Sequence, residues 1–234
     1  MKDIRDGFHT RTAALIGGEA LEILRNSHII IIGIGGVGSY CAEAIARCGV
    51  GAVTLIDPDV VCESNVNRQI HATVSTLGCH KTEAMRRRIL DINPNAAVEA
   101  KNIFYSAETR GEVPFIADYV IDAVDSVASK VCIACEAKKN GVPVVSVMGA
   151  GNKLDPSRFR VADIYETSVC PLAKAVRREL RKNGIDSLDV IFSDETPRAM
   201  QNGVLGSVSF VPAAAGLLAA SHVVRRIIES VRPS

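Results

Sequence analysis

HIIIIGIGGVGSYCAEAIARCGVGAVTLID, residues 28–57, decides the fold. HIIIIGI (28–34) is an unbroken apolar run, as expected of a parallel strand buried on both faces. Gly33, Gly35, Gly36 and Gly38 then spell G-x-G-G-x-G between that strand and a helix. Such glycines permit a tight turn and let backbone N–H groups approach a phosphate at the helix N-terminus. GGVGSYCAEAIARCGV has helical periodicity and reaches a C-terminal cap at Gly49, after which AVTLID (52–57) makes a second strand. Asp57 closes that strand, 24 residues beyond Gly33, where an acid usually takes a ribose hydroxyl. Taken alone, the turn says only that a nucleotide binds, and its plain reading is an NAD or flavin site.

The same alternation continues outward. GEALEILRNS, before the first strand, has helical spacing, and KTEAMRRRILDINP (81–94) is a helix stopped by Pro94. Strands are expected over 96–103, 119–124 and 143–149, with a helix from about Ser126 to Asn140. Strand alternating with helix through residue 149 argues a Rossmann-like, doubly wound, mainly parallel α/β sheet. After that the rhythm breaks into a turn (NKLDPSRF), a short strand (VADIY), a basic helix (PLAKAVRRELRKNG), a strand (DVIFSDE) and a long final helix (211–230). The expected organisation is a helical segment over 1–27 that contacts a partner protomer. A nucleotide-binding domain over 28–151 and a C-terminal α/β extension over 152–234 follow it.

Composition bounds the function. In 234 residues, Lys and Arg number 27 against 26 for Asp and Glu, so any polyanion site must be a local patch and not a global field. Seven cysteines without a framework, and no basic-then-apolar leader, read as reduced thiols in a cytoplasm. The apolar run VPAAAGLLAA (211–220) is far below the ~18 residues of a bilayer span, so no transmembrane segment is expected.

Three features pull the glycine turn away from a redox cofactor. Asn65, Arg68, Gln69 and Lys81 crowd in just after Asp57. A pyrophosphate bridge is held mostly by backbone amides, whereas a triphosphate losing pyrophosphate needs cations for the developing charge. IDAVDS (121–126) sets Asp122 and Asp125 at a strand's C-terminal end, where ligands of open α/β sheets sit and a carboxylate can hold Mg²⁺. Asp122 could equally cap the following helix. Arg11, ahead of the first strand, could reach a neighbouring active site.

The order R-T, GxGGxG, DxD, NxNRQ, K, DxxD resembles the ThiF/MoeB/HesA superfamily, adenylating relatives of ubiquitin-activating enzymes, from about Arg11 to Gly151. Within it, RQIHATVSTLG (68–78), ILDINP (89–94), VIDAVDS (120–126) and GSVSFVPAAAGLLA (206–219) are similar to the tRNA threonylcarbamoyladenosine dehydratase branch. The resemblance implies ATP and Mg²⁺, an acyl-adenylate formed on the carboxylate of N6-threonylcarbamoyladenosine at tRNA position 37, and cyclisation with loss of AMP. It assigns the four glycines, Asp57, Asn65, Arg68, Gln69 and Lys81 to the ATP pocket and Asp125 to magnesium. It makes Arg68, Lys81, Asp125 and Arg11 the catalytic set, Arg11 arriving from the second protomer of a homodimer.

Many relatives hold zinc with two C-x-x-C pairs; here only Cys132 and Cys135 have that spacing, so no zinc is expected. Cys170, at the mouth of the basic helix, is a candidate acyl-accepting or sulfur-handling thiol, with an adventitious loop thiol as its plainer reading. Arg177, Arg178, Arg181 and Lys182 lie within two turns and are the candidate tRNA contacts, the plainer reading being a solvated charged face. The alternatives are adenylation of a ubiquitin-like sulfur carrier, with a sulfur-transfer protein as partner, and an NAD-dependent oxidoreductase.

Overall fold

The computed structural model describes residues 7–229; residues 1–6 of the expected N-terminal segment, and 230–234 with the expected last helical residue Ser230, lie outside the described residues. Two short helices, α1 (Thr10–Ile16) and α2 (Gly18–Asn26), precede the sheet. Then come β1 (His28–Ile32), α3 (Gly38–Arg47), β2 (Ala52–Ile56), α4 (Lys81–Ile92), β3 (Ala97–Lys101) and β4 (Tyr119–Asp122). They are followed by α5 (Val127–Asn140), β5 (Val144–Val147), β6 (Phe159–Asp163), α6 (Pro171–Lys182), β7 (Asp189–Ser193) and α7 (Phe210–Glu229).

All seven strands join one sheet in the order β3-β2-β1-β4-β5-β7-β6, parallel throughout except for β6, which runs antiparallel to β7 at the edge. The four isoleucines of β1 show why the strand is apolar at every position. Ile29 and Ile31 face one layer with α3 and α7, whereas Ile30 and Ile32 face the other with Tyr105, Phe115 and Ile133. Each isoleucine is at most 1% exposed, so removing any one leaves a cavity in a finished core.

The residues after 152 complete this sheet through β6 and β7 instead of hanging beside it. Val190, Phe192 and the buried face of α6 (Ala173, Val176, Leu180) make a further cluster with Met148 and Ile164. Helix α7 is long and apolar enough to cross a membrane, but it lies on α3 with Val211, Ala215, Ala219 and Val223 in the core. Gly216 lets it approach closely: a Cβ there would stand 2.3 Å from the Val37 carbonyl oxygen.

Strand order reverses between β1 and β4. In register, Ile32 lies beside Ile56 on one side and Asp122 on the other. The carboxyl ends of β1, β2 and β4 therefore open onto one crevice, the place where open α/β sheets bind ligands.

Candidate nucleotide-binding site

The glycine turn forms because two of its residues tolerate what no side chain could. Gly33 sits at φ 90°, and a Cβ on it would meet the Ala123 carbonyl oxygen at 2.7 Å. A Cβ on Gly38 would stand 1.8 Å from the Gly33 carbonyl oxygen, so α3 can begin directly against the end of β1. Gly35 and Gly36 line the crevice between them.

Asp57 follows β2 and is buried, its Oδ2 accepting the Ile34 N–H at 2.7 Å and its Oδ1 the Asp59 N–H at 2.9 Å. It thereby ties the second strand to the glycine turn. Burial pushes its carboxyl pKa up, against the opposing pull of Lys81 and those two N–H groups. Lys81, the first residue of α4, is 7% exposed; its Nζ lies 3.7 Å from Asp57 Oδ1 and 2.6 Å from Asp59 Oδ2.

Between them, a 3₁₀ turn over Glu63–Asn65 carries the remaining cluster. Buried Asn65 accepts the Cys62 N–H through Oδ1 at 3.2 Å, and Arg68 donates from Nη1 to the Ser64 carbonyl at 2.7 Å and to Asn67 Oδ1 at 2.9 Å. Gln69 is buried with its Oε1 unpartnered among the described residues.

The two aspartates at the end of β4 part company. Asp122 is buried and grips Lys130, whose Nζ lies 3.1 Å from both carboxylate oxygens, 3.2 Å from Ser146 Oγ and 2.8 Å from the Val147 carbonyl. Asp122 Oδ1 also accepts the Val124 N–H, so its carboxylate braces the following turn and not a metal. Asp125, on that turn, is exposed in the crevice and makes no hydrogen bond or ion pair among the described residues. The cap of α5 is Ser126, which accepts the Ser129 N–H.

Gly33, Gly35, Gly36, Asp57, Asp59, Asn65, Arg68, Gln69, Lys81 and Asp125 line one cleft of about 530 Å³, whereas Gly38, Asp122 and Lys130 do not; Phe104 and Tyr105 stand on the β3 side and Ala150, Gly151, Leu205 and Ser207 opposite. The far wall is pinned by Asn67 Nδ2, which donates to the Ser207 carbonyl at 3.1 Å. Tyr105 and Ser129 bring buried hydroxyls with no partner among the described residues. An arginine, a lysine, the glycine turn and a free carboxylate thus converge where a phosphate chain would lie. A sequence model of the ThiF family matches residues 9–233.

The chain belongs to the ThiF family.

Among ThiF relatives it is 43% identical to the tRNA threonylcarbamoyladenosine dehydratase of Bacillus subtilis, over 95% of each chain. It superposes on the Escherichia coli tRNA N6-threonylcarbamoyladenosine dehydratase, TcdA, in complex with ATP, with a TM-score of 0.91 at 36% identity, covering 98% of this chain and 97% of that one. Against the same enzyme in complex with AMP, the TM-score is 0.89 at 37% identity, covering 94% and 93%.

Other residues singled out in the sequence lie outside the cleft. Arg11 is on exposed α1 and does not line the cleft of its own chain. Cys170 is 4% exposed at the N-terminus of α6, packed in the cluster with Met148 and Ile164; such burial suits packing more than acyl transfer. Cys132 and Cys135 are half-buried on α5.

On α6, Arg177 departs from the expected phosphate-binding face. Its Nη1 donates to the Thr167 carbonyl and Oγ1, both at 2.8 Å, because at its position the side chain reaches back under the preceding turn. Arg178 and Lys182 flank Glu179, and Arg181 lies 5.1 Å over the Tyr165 ring. Lys174 shares their exposed face four residues before Arg178.

Sequence reasoning missed several residues in and around the site. Asp59 was visible in D-x-D, since residues two apart in extended chain share a face. Lys130, the buried partner of Asp122 and not part of the cleft wall, stands out in the sequence only as a lone cation on an apolar stretch of helix. Tyr105 and Leu205 carried no local signal, and Ser207 is marked only by lying in the GSVSFVPAAAGLLA segment that carries the family resemblance.

Proposed function

We propose that this chain is an ATP-dependent dehydratase of N6-threonylcarbamoyladenosine at position 37 of tRNA. The carrying observation is the match to dehydratases along nearly the whole chain, with a phosphate-ready cleft at the switch point. The substrate carboxylate attacks the α-phosphorus of ATP, the bond to the β-phosphate breaks, and pyrophosphate leaves. A ureido nitrogen of the same substrate then attacks the acyl carbon; AMP departs with the carboxyl oxygen, a proton is lost, and the base has lost one water. Electron count is unchanged, so no redox cofactor is needed.

The residues divide this work. Backbone N–H groups at the start of α3 take phosphate oxygens, and Asp57 takes the ribose. Lys81 and Arg68 hold charge on the breaking phosphate bond, which matters most in the transition state. The donor set fits Mg²⁺, which typically takes one or two carboxylates and fills its other positions with phosphate and water. Asp125 is the free carboxylate that would hold it, and the metal would there offset charge on the phosphates. Asn65 and Gln69 support the pocket wall. No step requires the Cys170 thiol.

Arg11 completes the site from a second copy of the chain in a homodimer. The tRNA phosphates lie along Lys174, Arg178, Arg181 and Lys182, on the face of α6 opposite Ala173, Val176 and Leu180. Gly149, beside the cleft, supports this course: a Cβ on it would stand 3.7 Å from Cys170 Sγ and 3.8 Å from Leu172 Cβ at the start of α6. The enzyme works in the cytoplasm, and a sulfur-transfer protein is a further candidate partner. Adenylation of a sulfur carrier is the less supported reading, because the dehydratase match extends through β6, β7 and α7.

The test is direct. Incubating the protein with ATP, Mg²⁺ and tRNA bearing the modified base should lower that nucleoside's mass by one water, with AMP formed stoichiometrically. An unchanged nucleoside, with ATP–pyrophosphate exchange triggered only by a small carrier protein, would reverse the preference.

A further inference from the structure

We propose that Asp59 is a positioning residue for Lys81, an inference that rests on the phosphate-binding role given to Lys81 above. Asp59 grips that lysine at both ends. Its carbonyl accepts the Lys81 backbone N–H at 3.0 Å, and its Oδ2 accepts from the Lys81 ammonium at 2.6 Å. Its own N–H is fixed on Asp57 Oδ1, and the next residues are laced to 78–80 by Val61 N–H to the Cys79 carbonyl and by a Val60–His80 bridge. The carboxylate therefore hangs from a backbone held on both sides.

Asp57 cannot do this work. At 3.7 Å its Oδ1 is outside hydrogen-bond reach of Nζ. The contact at 2.6 Å is a short, charge-assisted one, the kind that fixes direction. It uses one of three ammonium donors and leaves two for the cleft that Lys81 and Asp59 both line. Lysine is otherwise a flexible stem with a freely rotating head. Asp59 converts it into a preset donor, so that little reorganisation remains when charge develops on the departing pyrophosphate.

The arrangement has a cost that makes it testable. A carboxylate beside the phosphates repels them, so Asp59 weakens nucleotide binding while improving the step that follows. Asp59→Asn should lower kcat about tenfold or more, while the Kd for ATP, measured by calorimetry, stays the same or becomes tighter. Asp59→Glu, which keeps the charge on a side chain that is 61% exposed and free to adjust, should recover part of the lost kcat.

Three results would overturn the inference: kcat of Asp59→Asn within about twofold of the parent, a kcat loss matched by an equal rise in Kd, or no recovery by Glu. Lys81→Ala serves as the separate arm. If it retains turnover, the role of Lys81 itself fails; if it is inactive while Asp59→Asn is fully active, only the role of Asp59 fails.

Discussion

Arg68 and His71 lie three residues apart and show how differently a side chain can bear on one site. The Arg68 guanidinium is half-exposed and, among the described residues, anchored only on the Ser64 carbonyl and Asn67, so Arg68→Ala should leave the fold intact. Its turnover should fall by ~10²–10³ if the guanidinium stabilises the breaking phosphate bond, with thermal midpoint nearly unchanged; steady-state kinetics beside a melting curve will show both. His71 is 3% exposed, and neither ring nitrogen has a partner among the described residues. Burial, with Lys81 and Arg88 adding like charge, lowers its pKa from 6.5 to about 4. Between those values the unfolded chain binds the proton and the folded one does not, so the neutral ring's stabilisation is complete above 6.5 and is lost as pH falls toward 4. The loss should approach ~3 kcal/mol, and His71→Leu, which has no ring to protonate, should flatten denaturant-measured stability across that window.

At the scale of elements, the contacts that matter are close approaches between a strand end and a helix start. Gly38→Ala would drive a methyl group into the Gly33 carbonyl, forcing α3 off β1. A loss of several kcal/mol is expected, read as a lower denaturant midpoint together with loss of ATP binding. This joint was legible in the sequence because β1, the turn and α3 are contiguous, and both the isoleucine run and the glycine spacing are local patterns. Asp57, Arg68 and Lys81 meet in the cleft for a similar reason, being brought in by one strand end, the turn that follows it and one helix start. The opposite wall was not legible. Ser207 reaches the cleft through a bond to Asn67, 140 residues away in the chain, and no period or composition anticipates such a contact. Helix α6 was foreseen, but helical spacing gives only a face; it could not say that Arg177, on the flank, would turn to carbonyls of the preceding turn. Reversing Arg178 and Arg181 to Glu should weaken tRNA binding and reduce its log-salt slope by about one for each phosphate no longer neutralised, leaving ATP affinity unchanged.

For the whole molecule, the proposed homodimer carries the sharpest prediction. If Arg11 acts in the neighbouring site, Arg11→Ala and Lys81→Ala should each be inactive alone, yet a mixture that exchanges subunits should regain about a quarter of parental activity, since half the dimers hold one intact site. Mixtures that stay inactive after exchange would place Arg11 in its own protomer's chemistry. Lys130 offers a different view of the same molecule. It is an amine with no exposed surface, reaching from α5 onto β4 and β5, where Asp122, Ser146 and the Val147 carbonyl close it in. Burial lowers its pKa, so once uncovered it would regain ordinary basicity. An amine-reactive reagent should therefore modify surface lysines within minutes and Lys130 only when the sheet itself opens. Followed by peptide mass, that one position becomes a built-in clock for global unfolding, and nucleotide, by holding the cleft shut above it, should slow the clock without touching the lysine.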